Sequence, residues 1–124
     1  MTTAEAMAGT RWVRLDVDYF GNPKTLAAGR DGRDLHLASI CWTARFLTDG
    51  RIPASAVASI AAEAGVTRRA ADLVVAAGLW TPNGDGYVLH DFVEMNGSRS
   101  AVELDRERWR ERQRRYRASR VTDA

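Results

Sequence analysis

The sequence predicts a mainly α fold with a small β-hairpin, an α+β chain of 124 residues. Three observations carry that reading. Apolar residues recur at helical spacing around residues 35–46, 57–64 and 70–77. Gly65 falls between the second and third of these segments, so two short helices meet at a tight turn. The stretch GLWTPNGDGYVLHDF then alternates apolar and polar residues on either side of a glycine-rich turn, the pattern of a hairpin.

Taken in order, residues 1–10 (MTTAEAMAGT) show no periodicity and read as a flexible N-terminus. RWVRLDVDYF reads as a short extended entry, with apolar Trp12, Val13, Leu15, Val17, Tyr19 and Phe20, ending at the GNP turn. PKTLAAG suits a short helix. Pro23 fits its first position, where the missing N–H would be unpaired anyway, and Gly29 fits its end. A longer helix is expected from Arg33 to Leu47, with Leu35, Ala38, Ile40, Cys41, Trp42, Ala44 and Phe46 as its apolar stripe and Arg45 opposite. Cys41 then reads as a core thiol. TDGR is a turn, and RIP has room for one short strand. ASAVASIAAEAG is a helix of small residues with Val57, Ile60, Ala61 and Ala64 on one face. Thr67 is placed to cap the next helix, RRAADLVVAAG, in which Leu73, Val74 and Ala77 form the buried face. The hairpin strands are LWT and YVLH, with PNGDG as the turn.

A helix, a short strand, two short helices across a glycine turn and a hairpin make the layout of a winged helix-turn-helix, expected over residues 11–97. Ala61 places a small residue where the two helices touch, four positions before Gly65. In such a unit the start of the second helix enters the major groove, which points to Thr67, Arg68 and Arg69. A guanidinium fork matches guanine or phosphate, and unpaired N–H groups at a helix start add positive potential. Asp72, one turn on, reduces the local field. The hairpin tip NGDG carries no Lys or Arg, so the wing is expected to be structural.

Charge is unevenly placed. Residues 1–98 carry nine Lys and Arg against eleven acids, whereas residues 99–124 carry nine Arg against five acids. A basic end on a near-neutral body suggests a polyanionic partner. The segment RERWRERQRRYR lies in a helix expected over residues 98–118, capped by Ser98 or Ser100, with a flexible tail over 119–124. On a helical wheel Arg99, Arg106, Arg110, Arg114 and Arg117 gather within about 80° of arc, and Val102, Trp109 and Tyr116 form a narrow line beside them. Glu111 with Arg115 and Asp105 with Arg108 are spaced for ion pairs. The seam suits packing along the body, pairing with a second copy, or stacking near nucleic acid. Asp105 and Arg112 occupy the places of a second apolar row, which argues against a coiled coil.

No enzyme is expected. His36 and His90 lie far apart, and neither has a nucleophile or metal ligands at a known spacing. Cys41 is the one cysteine, which excludes an internal disulfide and a multi-cysteine metal site. No cofactor is implied. No apolar run approaches the roughly 20 residues a membrane span needs, and the N-terminus lacks a signal-peptide pattern. A cytoplasmic location, at the nucleoid or in a phage-infected host, is therefore expected.

WVRLDVDYFGNPKT, the middle LTDGRIP, and GLWTPNGDGYVLHDFVEMNGSRSAVE with its Arg-rich continuation resemble small actinobacterial and actinophage winged-helix proteins. These are similar to the N-terminal domains of phage replisome organisers and DnaD-like replication initiators. The resemblance spans roughly residues 11–117. It implies work on DNA in replication or transcription. The expected function is double-stranded DNA binding by a phage- or prophage-type regulator. The alternative is a protein–protein adaptor of the replisome, in which the winged helix self-associates and the basic helix docks on a partner. Expected partners are duplex DNA, a second copy of the chain, and a replication or transcription protein.

Overall fold

A computed structural model describes residues 12–90, 92 and 99–122 of the chain. Residues 1–10, the Ser98 cap and the last two residues of the tail lie outside the described residues. The fold is mainly helical with one small three-stranded antiparallel sheet.

Helix α1 (Pro23–Phe46) is two helices joined at Gly29, where φ is 71° and ψ is −178°. A side chain would make that conformation costly, so the expected stop at Gly29 is present. Pro23 opens the helix, and the Asn22 side chain accepts a hydrogen bond from the Lys24 amide at 2.9 Å. Helix resumes directly after Gly29, three residues before the expected Arg33. Gly32 inside it is there for its size. A Cβ would lie 2.9 Å from that of Ala28 and 3.1 Å from that of Leu73.

The turn after α1 uses left-handed backbone at Leu47, Asp49 and Gly50. It leads into β1 (Arg51–Ile52), a 3-10 turn (Ala54–Ala56) and α2 (Val57–Ala64). Helix α2 ends at Gly65 with φ 75°. The Val66 amide bonds back to the Ala61 carbonyl at 3.0 Å and the Gly65 amide to that of Ala62 at 3.2 Å, which satisfies carbonyls the helix end would leave open. Helix α3 (Ala70–Ala76) follows, then β2 (Trp80–Asn83) and β3 (Gly86–Leu89). The hairpin tip is tighter than expected: Pro82 and Asn83 pair within the strand, leaving Gly84 and Asp85 as the loop. Gly84 takes φ 60°, which suits the first central position of a two-residue hairpin turn.

The sheet order is β1-β3-β2. Ile52 pairs with Tyr87 and Arg51 with Val88 on one side, and Trp80 with Leu89 and Pro82 with Tyr87 on the other. A Cβ on Gly86 would overlap the Ile52 carbonyl oxygen, so β1 comes in against a residue that has to be glycine. Helix α1 packs on both α2 and α3, and α3 packs on β2. Leu35, Ile52, Ile60, Val74 and Trp80 are the large apolar side chains fully enclosed between these elements.

Several expectations about the core are corrected. Cys41 is exposed, as is Phe46; Leu35, Ile40 and Ala44 are buried as expected, and His36, Ser39 and Thr43 share the enclosed arc of α1 with them. These polar groups are tolerated because they are bonded. The Trp80 Nε1–H donates to Ser39 Oγ at 3.1 Å, Ser39 Oγ donates to the His36 carbonyl at 2.6 Å, and Thr43 Oγ1 donates to the Ser39 carbonyl at 3.0 Å. Leu73 is exposed, although its Cβ lies close to Gly32 of α1. The buried face of α3 is Ala70, Ala71 and Val74. Among the described residues the entry segment forms no strand: Val17 is fully out in solvent, and a 3-10 turn (Tyr19–Gly21) buries Tyr19 alone.

Helix α4 (Arg99–Thr122) runs beyond the expected end at residue 118. Ser100 lies inside the helix. The Arg99 amide donates instead to Asp49 Oδ1 at 2.5 Å, so a turn residue fifty positions away serves as the cap.

Candidate functional site

Thr67, Arg68 and Arg69 are all exposed and form the tight turn that opens α3. The Ala70 amide bonds to the Thr67 carbonyl at 3.1 Å, that of Ala71 to Arg68 at 3.0 Å, and that of Asp72 to Arg69 at 3.1 Å. The expected Thr67 side-chain cap is corrected. The capping position is Arg69, and no side-chain hydrogen bond closes this helix start. Thr67 contributes its backbone carbonyl and leaves its hydroxyl to solvent. Neither Arg68 nor Arg69 makes an ion pair among the described residues, so two exposed arginines follow one another at a helix start. Asp72 is exposed in the first turn of α3, where it opposes their field.

Helix α4 holds the second set. Of the arginine stripe, Arg99 pairs with Glu103 at 2.9 Å and Arg114 with Glu111 at 3.6 Å. The carboxylate partner raises the Arg99 pKa, chiefly through the hydrogen bond to Glu103. Arg106, Arg110 and Arg117 make no ion pair among the described residues and are exposed. The expected Glu111–Arg115 pair is present at 3.3 Å, but Asp105 and Arg108 do not pair among the described residues. Val102 and Trp109 are half-buried and Tyr116 is 60% exposed. Among the described residues α4 shows no extensive packing on the body. Arg120, which the sequence reading did not single out, lies 5.8 Å from the Tyr116 ring centroid as a cation–π partner.

A polar site that the sequence reading missed lies on the other side of α1. Tyr19 Oη and His36 Nδ1 are 2.6 Å apart, and their rings stack with centroids 5.6 Å apart. Burial pushes the Tyr19 pKa up to about 12, with Arg33 opposing and Asp34 adding a little. Burial lowers that of His36 to about 4, so the pair is neutral near pH 7. The pair lines a cleft of about 230 Å³ between the entry segment, the start of α1 and the base of the hairpin. The seventeen-residue separation of Tyr19 and His36 left no local signal for it.

Among the described residues no cluster of His, Cys, Asp and Glu could hold a metal ion, and no helix is long and apolar enough to cross a membrane. No family model, curated protein or solved structure matches the chain.

Proposed function

We propose that the chain is a winged helix-turn-helix protein that binds double-stranded DNA, a regulator of replication or transcription of the phage or prophage type. The observation that carries this reading is an order of elements: helix, strand, two short helices, hairpin, with the first strand added to the hairpin as β1-β3-β2. Arg68 and Arg69 stand exposed at the start of the second short helix, the part of such a unit that enters the major groove. Thr67 adds a hydroxyl beside them. Arg106, Arg110 and Arg117 on α4 supply phosphate contacts, with Arg99 and Arg114 released from their acids as needed. The plain hairpin tip, with Asp85 and no cation, takes no part.

The test is fluorescence anisotropy on duplex DNA across a salt series. Five phosphate contacts, from Arg68, Arg69, Arg106, Arg110 and Arg117, give a log–log slope of about −4.5. Arg68→Glu/Arg69→Glu should weaken binding at every salt concentration, and Arg106→Gln/Arg110→Gln/Arg117→Gln should flatten the slope by about 3. No binding by the intact chain at low salt, or binding indifferent to both variants, refutes the reading.

One observation favours the adaptor as a second reading. The seam of Val102, Trp109 and Tyr116 keeps exposed surface on a helix that, among the described residues, packs extensively on no other element. In that case Trp109→Ala or Tyr116→Ala abolishes self-association or partner binding, measured by sedimentation, while the arginine variants retain it.

A further inference from the structure

The cleft beside α1 is lined by the apolar Ile40, Leu79, Leu89 and Phe92, by buried polar groups, and by charged residues. Apolar cavities stay empty or take apolar guests, but this lining is mixed. The Thr25 residue is 3% exposed and its hydroxyl makes no hydrogen bond among the described residues. His36 is 6% exposed, and the one hydrogen bond of its ring among the described residues is to Tyr19.

That single bond leaves the pair incomplete in a definite way. If the Tyr19 hydroxyl donates to Nδ1, the His36 Nε2–H is left over. If the imidazole donates, the Tyr19 O–H is left over. Either tautomer therefore keeps one donor, and Thr25 offers another. Neither donor is sealed off without a partner, so both keep solvent access, and an occupant that covers them has to bring an acceptor oxygen in its place.

The charged residues decide its charge. Arg14 and Asp16 on the entry segment line the cleft with opposite signs, and Lys24 adds one positive charge. Lys24 makes no ion pair among the described residues. At about 230 Å³ the space is smaller than the roughly 300–1,000 Å³ typical of drug-sized ligands.

We propose that this cleft binds a small monocarboxylate with an apolar body. The apolar part lies on Ile40, Leu79, Leu89 and Phe92. The carboxylate accepts from Thr25 and from the free donor of the Tyr19–His36 pair, with Lys24 neutralising it. The site is separate from the arginines of α3 and α4, so it stands or falls independently of DNA binding.

Sodium phenylacetate is a suitable probe, titrated into the full chain by calorimetry and by NMR on the His36 ring. Its ten non-hydrogen atoms set an expected Kd on the order of 1 mM. Acetate, lacking the apolar body, and 2-phenylethanol, lacking the charge, should each bind at least about tenfold more weakly. Thr25→Val keeps the shape of the side chain and should weaken phenylacetate about threefold, and Lys24→Gln about threefold to tenfold. Lys24 is exposed, so its variant reports even if Thr25→Val disturbs folding. The His36 resonances should move on binding. The proposal is overturned by no binding at about 20 mM phenylacetate, by equal affinity for 2-phenylethanol, by unmoved His36 resonances, or by a Lys24→Gln variant that binds as the parent does.

Discussion

Acidification should destabilise this protein through one side chain. His36 is buried with its pKa lowered from the usual 6.5 to about 4. Between those values the unfolded chain holds a proton that the folded chain refuses, so stability rises with pH across the window. The contribution is complete above pH 6.5, falls as the pH drops, and levels off below about 4. At about 1.4 kcal/mol per pH unit the full loss is about 3.4 kcal/mol, of which about 2.5 kcal/mol is reached at pH 4.5. Carboxylates titrate over part of the same range, so the measurement is a difference. Urea unfolding, followed by tryptophan fluorescence at pH 7.5, 6.5, 5.5 and 4.5, compares the parent with His36→Gln. The glutamine keeps an acceptor for Tyr19 and does not titrate. The variant is expected to be less stable at pH 7.5 and to lose about 2.5 kcal/mol less on going to pH 4.5. A difference between the two pH profiles below about 1 kcal/mol refutes the argument that His36 is held neutral by burial.

Gly86→Ala places a methyl group on the Ile52 carbonyl, and should lower stability by about 2 kcal/mol or more in urea unfolding, because backbone rather than a side-chain end has to give way. Ser39→Ala strands the buried Trp80 N–H and should cost about 1–3 kcal/mol in the same assay, whereas Trp80→Ala should cost about 3–5 kcal/mol by leaving a cavity. Asp49→Ala removes the acceptor for the Arg99 amide, so exchange of that amide should speed up several-fold in hydrogen-exchange NMR while the core amides of α1 stay protected.

Local chemistry was the legible part of the fold. Gly29, Gly65 and Gly84 each take a positive φ, and each marks a boundary that the sequence already suggested. Pro23 and the residues of the hairpin turn work in the same way, because their preferences need no partner. The third strand could be placed only as a short segment, since its pairing with β3 depends on Gly86, thirty-four positions beyond Ile52. Burial was least legible where polar side chains meet their partners through tertiary contact. Ser39 and Thr43 are enclosed because Trp80 and the α1 carbonyls satisfy them, and Cys41, apolar by composition, is left outside. Of the candidate site, Arg68 and Arg69 were expected in the first turn of a helix that in fact starts at Ala70, and their exposure follows from either placement. The Asp49 cap on α4 and the Tyr19–His36 pair were not legible, because each joins residues that share no local pattern.

The hairpin has a further consequence, for how copies of this chain meet. A three-stranded open sheet has two outer strands whose unpaired amides and carbonyls invite a strand from a neighbour. Here one outer strand, β1, is two residues long, and the other, β2, carries Pro82, which has no N–H to offer. Neither rim of the described sheet is a good template for growth by strand addition. Contacts between copies at this sheet therefore fall to side chains rather than to backbone pairing.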